Sequence, residues 1–229
     1  MKVLQLWGSI LTAGVILSGC DSNNNTEIDR ASYRVTVENL TLSQPMAPMA
    51  VAYHSKDTAL FEVGESSTLG LEKLAEDGDN SELLSELSLD PMVKVSIGGT
   101  GLILPAKSES VIIEGETSEC ISVVTMLVNT NDAFAGIDCV DVSAIQSGEK
   151  VILGLVTYDA GTEANSEEAM TIPGPAGGGE GFNDARDDRD FVSVHSGVVT
   201  MDDGFSTSAL TQAHKWDNPA ASVVIERIE

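Results

Sequence analysis

Short runs of β-branched residues recur along this chain, each closed by Gly, Pro, Asn or Asp, and this punctuation constrains the fold more than any other feature. Tyr33, Val35 and Val37 alternate with Arg34, Thr36 and Glu38, the period-two signature of a strand with one buried face. Val93 to Ile97, Val111 to Ile113, Val123 to Val128, Val151 to Val156 and Val223 to Ile228 repeat the theme. Helical spacing is confined to Leu69 through Leu89, where Leu71, Leu74, Leu83, Leu84 and Leu87 form stripes interrupted by EDGDN at Glu76 to Asn80. An amphipathic face of this kind normally turns inward, so these leucines are expected to pack across the sheet rather than to bind a partner. The pattern predicts one all-β domain with one or two short helices between strands.

Two of the apolar runs end in acidic turns, NTNDAF from Asn129 to Phe134 and TYDAGTEAN from Thr157 to Asn165. The first offers Asp132. The second offers Asp159 and Glu163 around Ala160 and Gly161, small residues that let the backbone turn tightly enough to aim both carboxylates inward. Like charges about 5 Å apart repel by roughly 3 kcal/mol at an effective dielectric near 20, so a converging cluster calls for a cation. Calcium suits turn carboxylates, backbone carbonyls and water, and no His or Cys stands nearby to favour zinc. Spacing alone leaves the alternative of solvated loop acids open, because a chain with 36 acidic residues contains many such pairs.

SVVTMLVNTNDAFAGID (Ser122 to Asp138), LVTYDAGTEAN (Leu155 to Asn165), TIPGPAG (Thr171 to Gly177) and ASVVIERI (Ala221 to Ile228) resemble, in that order, blocks of the spondin domain. With YRVTVENLTLSQPMAPMAVAYH before them, the similarity spans nearly all of the chain beyond residue 30. The resemblance implies an antiparallel sandwich with a C2-like outline and one calcium held by loop acids at its edge. It also implies the work of a binding or adhesion module, since animal members serve in matrix attachment. By position the ligands would be Asp132, Asp159 and Glu163. At the third position animal members carry aspartate, and glutamate keeps the charge while reaching one methylene further.

The net charge of −24, with only 12 basic residues, argues against nucleic acid as a partner and against electrostatic adhesion to anionic lipid. Abundant acids also serve simply to keep a surface hydrated and self-repelling. Residues 1–19 read as a signal peptide: Lys2 supplies the positive start, Val3 to Leu17 the apolar run, and LSGC resembles a bacterial lipobox. By that resemblance Cys20 is the lipidated first residue of the mature chain, residues 20–31 form a polar tether, and the domain occupies residues 32–229. An ordinary transmembrane anchor is the alternative, for which the apolar run is short. Asp21 resembles the inner-membrane retention signal of enteric bacteria. The expected location is therefore the bacterial cell envelope, on the inner or the outer membrane.

Cys120 and Cys139 remain, and an oxidising envelope compartment allows them to pair; two buried thiols are the alternative. The Gly-rich, charged segment from Pro173 to Asp190 reads as a long surface loop. Its Asp184, Asp187, Asp188 and Asp190 alternate with Arg186 and Arg189, a pattern of mutual neutralisation rather than a second ion site. His54, His195 and His214 sit in no catalytic motif, and no nucleophile elbow, HExxH helix, phosphate loop or dinucleotide fingerprint occurs. Trp216 is expected to pack before the last strand, and Phe134 to plug the core beneath the first acidic turn. These readings converge on a calcium-binding, lipid-anchored, non-catalytic module whose partner is an extracellular or periplasmic protein or glycan. The rival readings are a glycoside-acting hydrolase using the loop carboxylates and a purely structural envelope lipoprotein.

Overall fold

The computed structural model describes residues 30–229; the signal segment, the lipobox and Cys20 lie outside them. Nine strands form the framework: β1 (Arg30–Asn39), β2 (Ala50–His54), β3 (Val93–Gly98), β4 (Ser108–Glu116), β5 (Cys120–Met126), β6 (Ala133–Asp141), β7 (Lys150–Asp159), β8 (Ser193–Val194) and β9 (Ala221–Arg227). Every pairing is antiparallel, in the order β3-β2-β5-β6-β7-β9-β1-β4, with β8 added beside the end of β7. The expected all-β antiparallel sandwich is what forms.

The sandwich arises because β7 serves both layers. Its first part, Lys150 to Leu155, pairs with β9, while its second part, Val156 to Asp159, pairs with β6. One layer is thus β4-β1-β9-β7 and the other β3-β2-β5-β6-β7-β8. Between them lies the main core, with Tyr33, Val35 and Val37 from β1 meeting Val51, Tyr53, Ile121 and Val123 across the gap. β1 shows the alternation its sequence predicts, since its other face carries Arg34, Thr36 and Glu38. Its strand also takes in Arg30 and Ala31, two residues ahead of the boundary expected from composition.

β2 and β5 do not alternate, and every residue of each is buried. Both of their faces are covered: one by the opposite layer, the other by the helices α1 (Leu69–Asp77) and α2 (Ser81–Leu89). Leu71, Leu74, Leu83 and Leu87 go into a second core with Ala50, Ala52, Val124, Met126 and Phe134, as the amphipathic spacing anticipated. Thr68 caps α1 by accepting the Leu71 N–H at 3.2 Å. Gly78 ends it in the left-handed region at φ 72°, returning its N–H to Leu74 O, which explains why the interruption in the leucine stripe falls there.

β5 and β6 carry a disulfide between Cys120 and Cys139, whose Cα atoms are 4.9 Å apart. The two cysteines therefore pair across adjacent strands on the far side of the turn that bears Asp132. No helix among the described residues is long and apolar enough to cross a membrane.

Candidate metal centre

Asp132 lies at the entrance to β6 and Asp159 at the exit of β7, and the register places Ala133 directly opposite Asp159. Antiparallel pairing therefore brings the two acidic turns to one end of the sandwich. The following turn folds back over Asp132: its main-chain oxygen accepts the Ala160 N–H at 3.2 Å, and its Oδ2 accepts the N–H groups of Thr162 at 2.9 Å and Glu163 at 3.1 Å. Gly161 permits this path. It holds φ 75°, and a Cβ there would strike the carbonyl of Phe191.

Asp132 is fully buried, and its Oδ1 makes no hydrogen bond among the described residues. Burial first, and the nearby Asp159 carboxylate second, push its pKa up to about 7 against the pull of the two N–H donors. Asp159, also buried, has both oxygens engaged: Oδ1 accepts the Gly161 N–H at 2.9 Å, and Oδ2 faces Asn165 at 2.7 Å and the Arg189 guanidinium at 3.3 Å. Glu163 is held by the Asn131 amide at 3.1 Å from Oε1, and burial raises its pKa to about 7 as well.

All three acids predicted from the sequence thus gather at one end of the fold as buried groups. Among the described residues, no three His, Cys, Asp or Glu side chains stand together as a ready-made cage. The side chains there are carboxylates, the oxygen donors that a hard cation takes. An unpartnered carboxylate oxygen buried beside a second carboxylate is the local deficit a divalent ion would relieve.

Several contributors were not legible in advance. Glu76, in the last turn of α1, is as buried as Asp132; its Oε2 accepts the Asn183 N–H at 2.9 Å, while Oε1 is unpartnered. Glu72, one turn earlier, binds Arg186 at 2.6 Å. Both fall on the inward face of a helix whose leucines dominated the sequence pattern. Arg186 and Arg189 do neutralise loop acids, at Asp190 and Asp188, but each also reaches inward, to Glu72 and to Asp159. The long loop is therefore fastened to the acidic end rather than merely solvated. Asn131 is a hub, donating to Glu163 and to the Thr171 hydroxyl at 2.9 Å while accepting the Glu167 N–H at 3.2 Å.

Each histidine has a local partner. His54 is buried between Ser55 O at 2.9 Å and Ser122 Oγ at 2.6 Å, His195 contacts Asn165 at 3.2 Å and lies against the Trp216 ring, and His214 accepts the Thr211 N–H. Trp216 packs against the core and donates to Thr157 Oγ1 at 3.0 Å. Phe134 is fully buried directly after the first acidic turn, edge-on to Phe61.

The fold is thus an antiparallel β-sandwich with buried acids collected on the loops at one end. The spondin N-terminal domain model matches residues 40–173, more than half of the chain, and this protein belongs to that family. Membership suggests an extracellular binding module, and the family is not a known enzyme family. The sheet continues beyond the matched segment at both ends, through β1 on one side and β8 and β9 on the other. No curated protein matches the chain.

Proposed function

We propose that this chain is a calcium-binding, non-catalytic adhesion module of the cell envelope, tethered to a membrane through lipid on Cys20 and displaying its acidic end to a protein or glycan partner. The observation that carries the calcium reading is the buried, unpartnered Oδ1 of Asp132 beside Asp159. Asp132, Asp159 and Glu163 would hold the ion, whose charge would offset their mutual repulsion and fix the β6 entrance against the turn after β7. The LSGC segment supports the anchor.

The deciding experiment is a calcium titration of the purified chain, followed by calorimetry and by native mass spectrometry with and without chelator. One bound calcium, lost in Asp132→Asn, is the expected result. A wild-type chain that takes up no calcium at millimolar concentration overturns the reading. For the anchor, Cys20→Ala is expected to move the protein from the membrane to the soluble fraction; continued sedimentation with membranes overturns lipid tethering.

A further inference from the structure

The acidic end includes one buried carboxylate that belongs to neither sandwich turn. Glu76 is supplied by α1, and it stays buried although Oε1 has no hydrogen-bond partner among the described residues. Thr162 connects it to the Asp132 site. The Thr162 side chain is fully buried, with its hydroxyl 3.4 Å from Asp132 Oδ2 and beside the Glu76 carboxylate, whose charged form it favours. Two acids flanking one buried threonine each present an oxygen with nothing to accept. Among carboxylates, Glu76 repels both Asp132 and Glu163.

A helix C-terminus is a poor place for a buried carboxylate, because the main-chain carbonyls there already carry partial negative charge. Arg186, whose charge favours ionised Glu76, makes its direct ion pairs with Glu72 and Asp190. Glu76 is held instead by neutral groups, the Asn183 N–H at 2.9 Å and the Thr162 hydroxyl beside it. A buried carboxylate oxygen without a partner keeps its desolvation cost uncompensated, and a cation placed against it would remove that cost.

We propose that Glu76 is a further ligand of the cation held by the Asp132 turn, so that the ion fastens α1 to the loops of the sandwich. The inference rests on the calcium reading above. In it, the ion joins three separate parts of the chain: the β5–β6 turn, the turn after β7 and the end of α1, with the long loop attached through Asn183.

The test uses the full-length chain, with calcium and europium(III) as probes. Glu76→Gln keeps an acceptor for the Asn183 N–H and removes the charge. It is expected to weaken calcium binding by about tenfold or more, as loss of a group serving a metal site does. Europium luminescence lifetimes in light and heavy water count bound waters directly, and Glu76→Ala, which removes the side-chain oxygens altogether, is expected to hold about one more than the wild type. Wild-type affinity in Glu76→Gln, or an unchanged water count in Glu76→Ala, overturns the proposal while leaving the Asp132 site intact, provided Asp132→Asn abolishes binding. A wild type that binds neither ion overturns the site itself. Should Glu76→Gln not fold, the wild type still answers: calcium is expected to slow hydrogen exchange of the Leu74 to Gly78 amides and of Asn183, and unaltered exchange there overturns the proposal.

Discussion

The Oδ2 atom of Asp132 accepts the main-chain N–H of Glu163 at 3.1 Å, so one acid of the centre is oriented by the backbone of another. The contact spans the gap between two hairpins and means that the first carboxylate cannot be altered without disturbing the position of the second. Asp132→Asn is therefore expected to lose calcium binding and also to loosen the turn from Ala160 to Glu163. Measured as melting temperature, the wild type should gain stability on adding calcium, by about 2.7 kcal/mol at a hundredfold excess over Kd. The variant should show no gain.

Gly161→Ala addresses the same turn through its backbone. At φ 75°, with the Phe191 carbonyl in the path of a Cβ, any side chain forces the turn to shift. The expected outcome is a loss of calcium affinity with strands retained, read by calorimetry beside far-ultraviolet circular dichroism.

Arg186 holds the buried carboxylate of Glu72 at 2.6 Å and also donates to the Ser67 carbonyl at 2.9 Å. Arg186→Ala would leave Glu72 charged and uncompensated inside the protein. Removing one partner of a buried pair destabilises by about 3–5 kcal/mol, and the partial exposure of the guanidinium places the expected loss toward the lower end of that range. Urea unfolding at neutral pH measures it. Glu72→Gln in the same background should recover part of the loss, because the stranded charge is then gone.

Glu167 supplies a pH dependence free of the proposed ion ligands. Burial raises its pKa from 4.5 to about 7, opposed by the Val199 N–H, which donates to Oε1 at 3.0 Å. The folded state keeps this proton where the unfolded chain has released it, so the associated stability is complete below about pH 4.5 and is lost as pH rises to about 7. In chelator, the melting temperature of Glu167→Gln should fall less between pH 5 and 8 than that of the wild type. Parallel profiles would refute the assignment.

Replacing both Cys120 and Cys139 by serine opens a loop closed over a sequence separation of 19. Loop-closure entropy predicts a loss of about 3 kcal/mol, read from urea midpoints. The wild type, denatured without reductant, should expose neither thiol to an alkylating probe.

Much of this architecture is written locally. β1 alternates because only one of its faces meets the core, and the acidic turns announce themselves by position after apolar runs. Asp132, Asp159 and Glu163 reach one end of the molecule because β6 and β7 pair with Ala133 opposite Asp159. What the sequence hid is non-local. Glu72 and Glu76 look like the polar face of an amphipathic helix, and nothing nearby in the chain signals that Arg186 or Asn183, more than a hundred residues on, will cover them. Asn131 and Asn165 were likewise invisible as anchors, since an amide in a turn has the same composition whether it meets solvent or a carboxylate.

β7 leaves one layer and finishes in the other, and Asp159 is its last residue. The two layers consequently cannot shear past each other without deforming a single continuous backbone, and that backbone terminates at the acidic end. A pull applied to a partner gripping those loops would travel down β7 into both sheets at once, dividing the load between β6 and β9 instead of peeling away an edge strand.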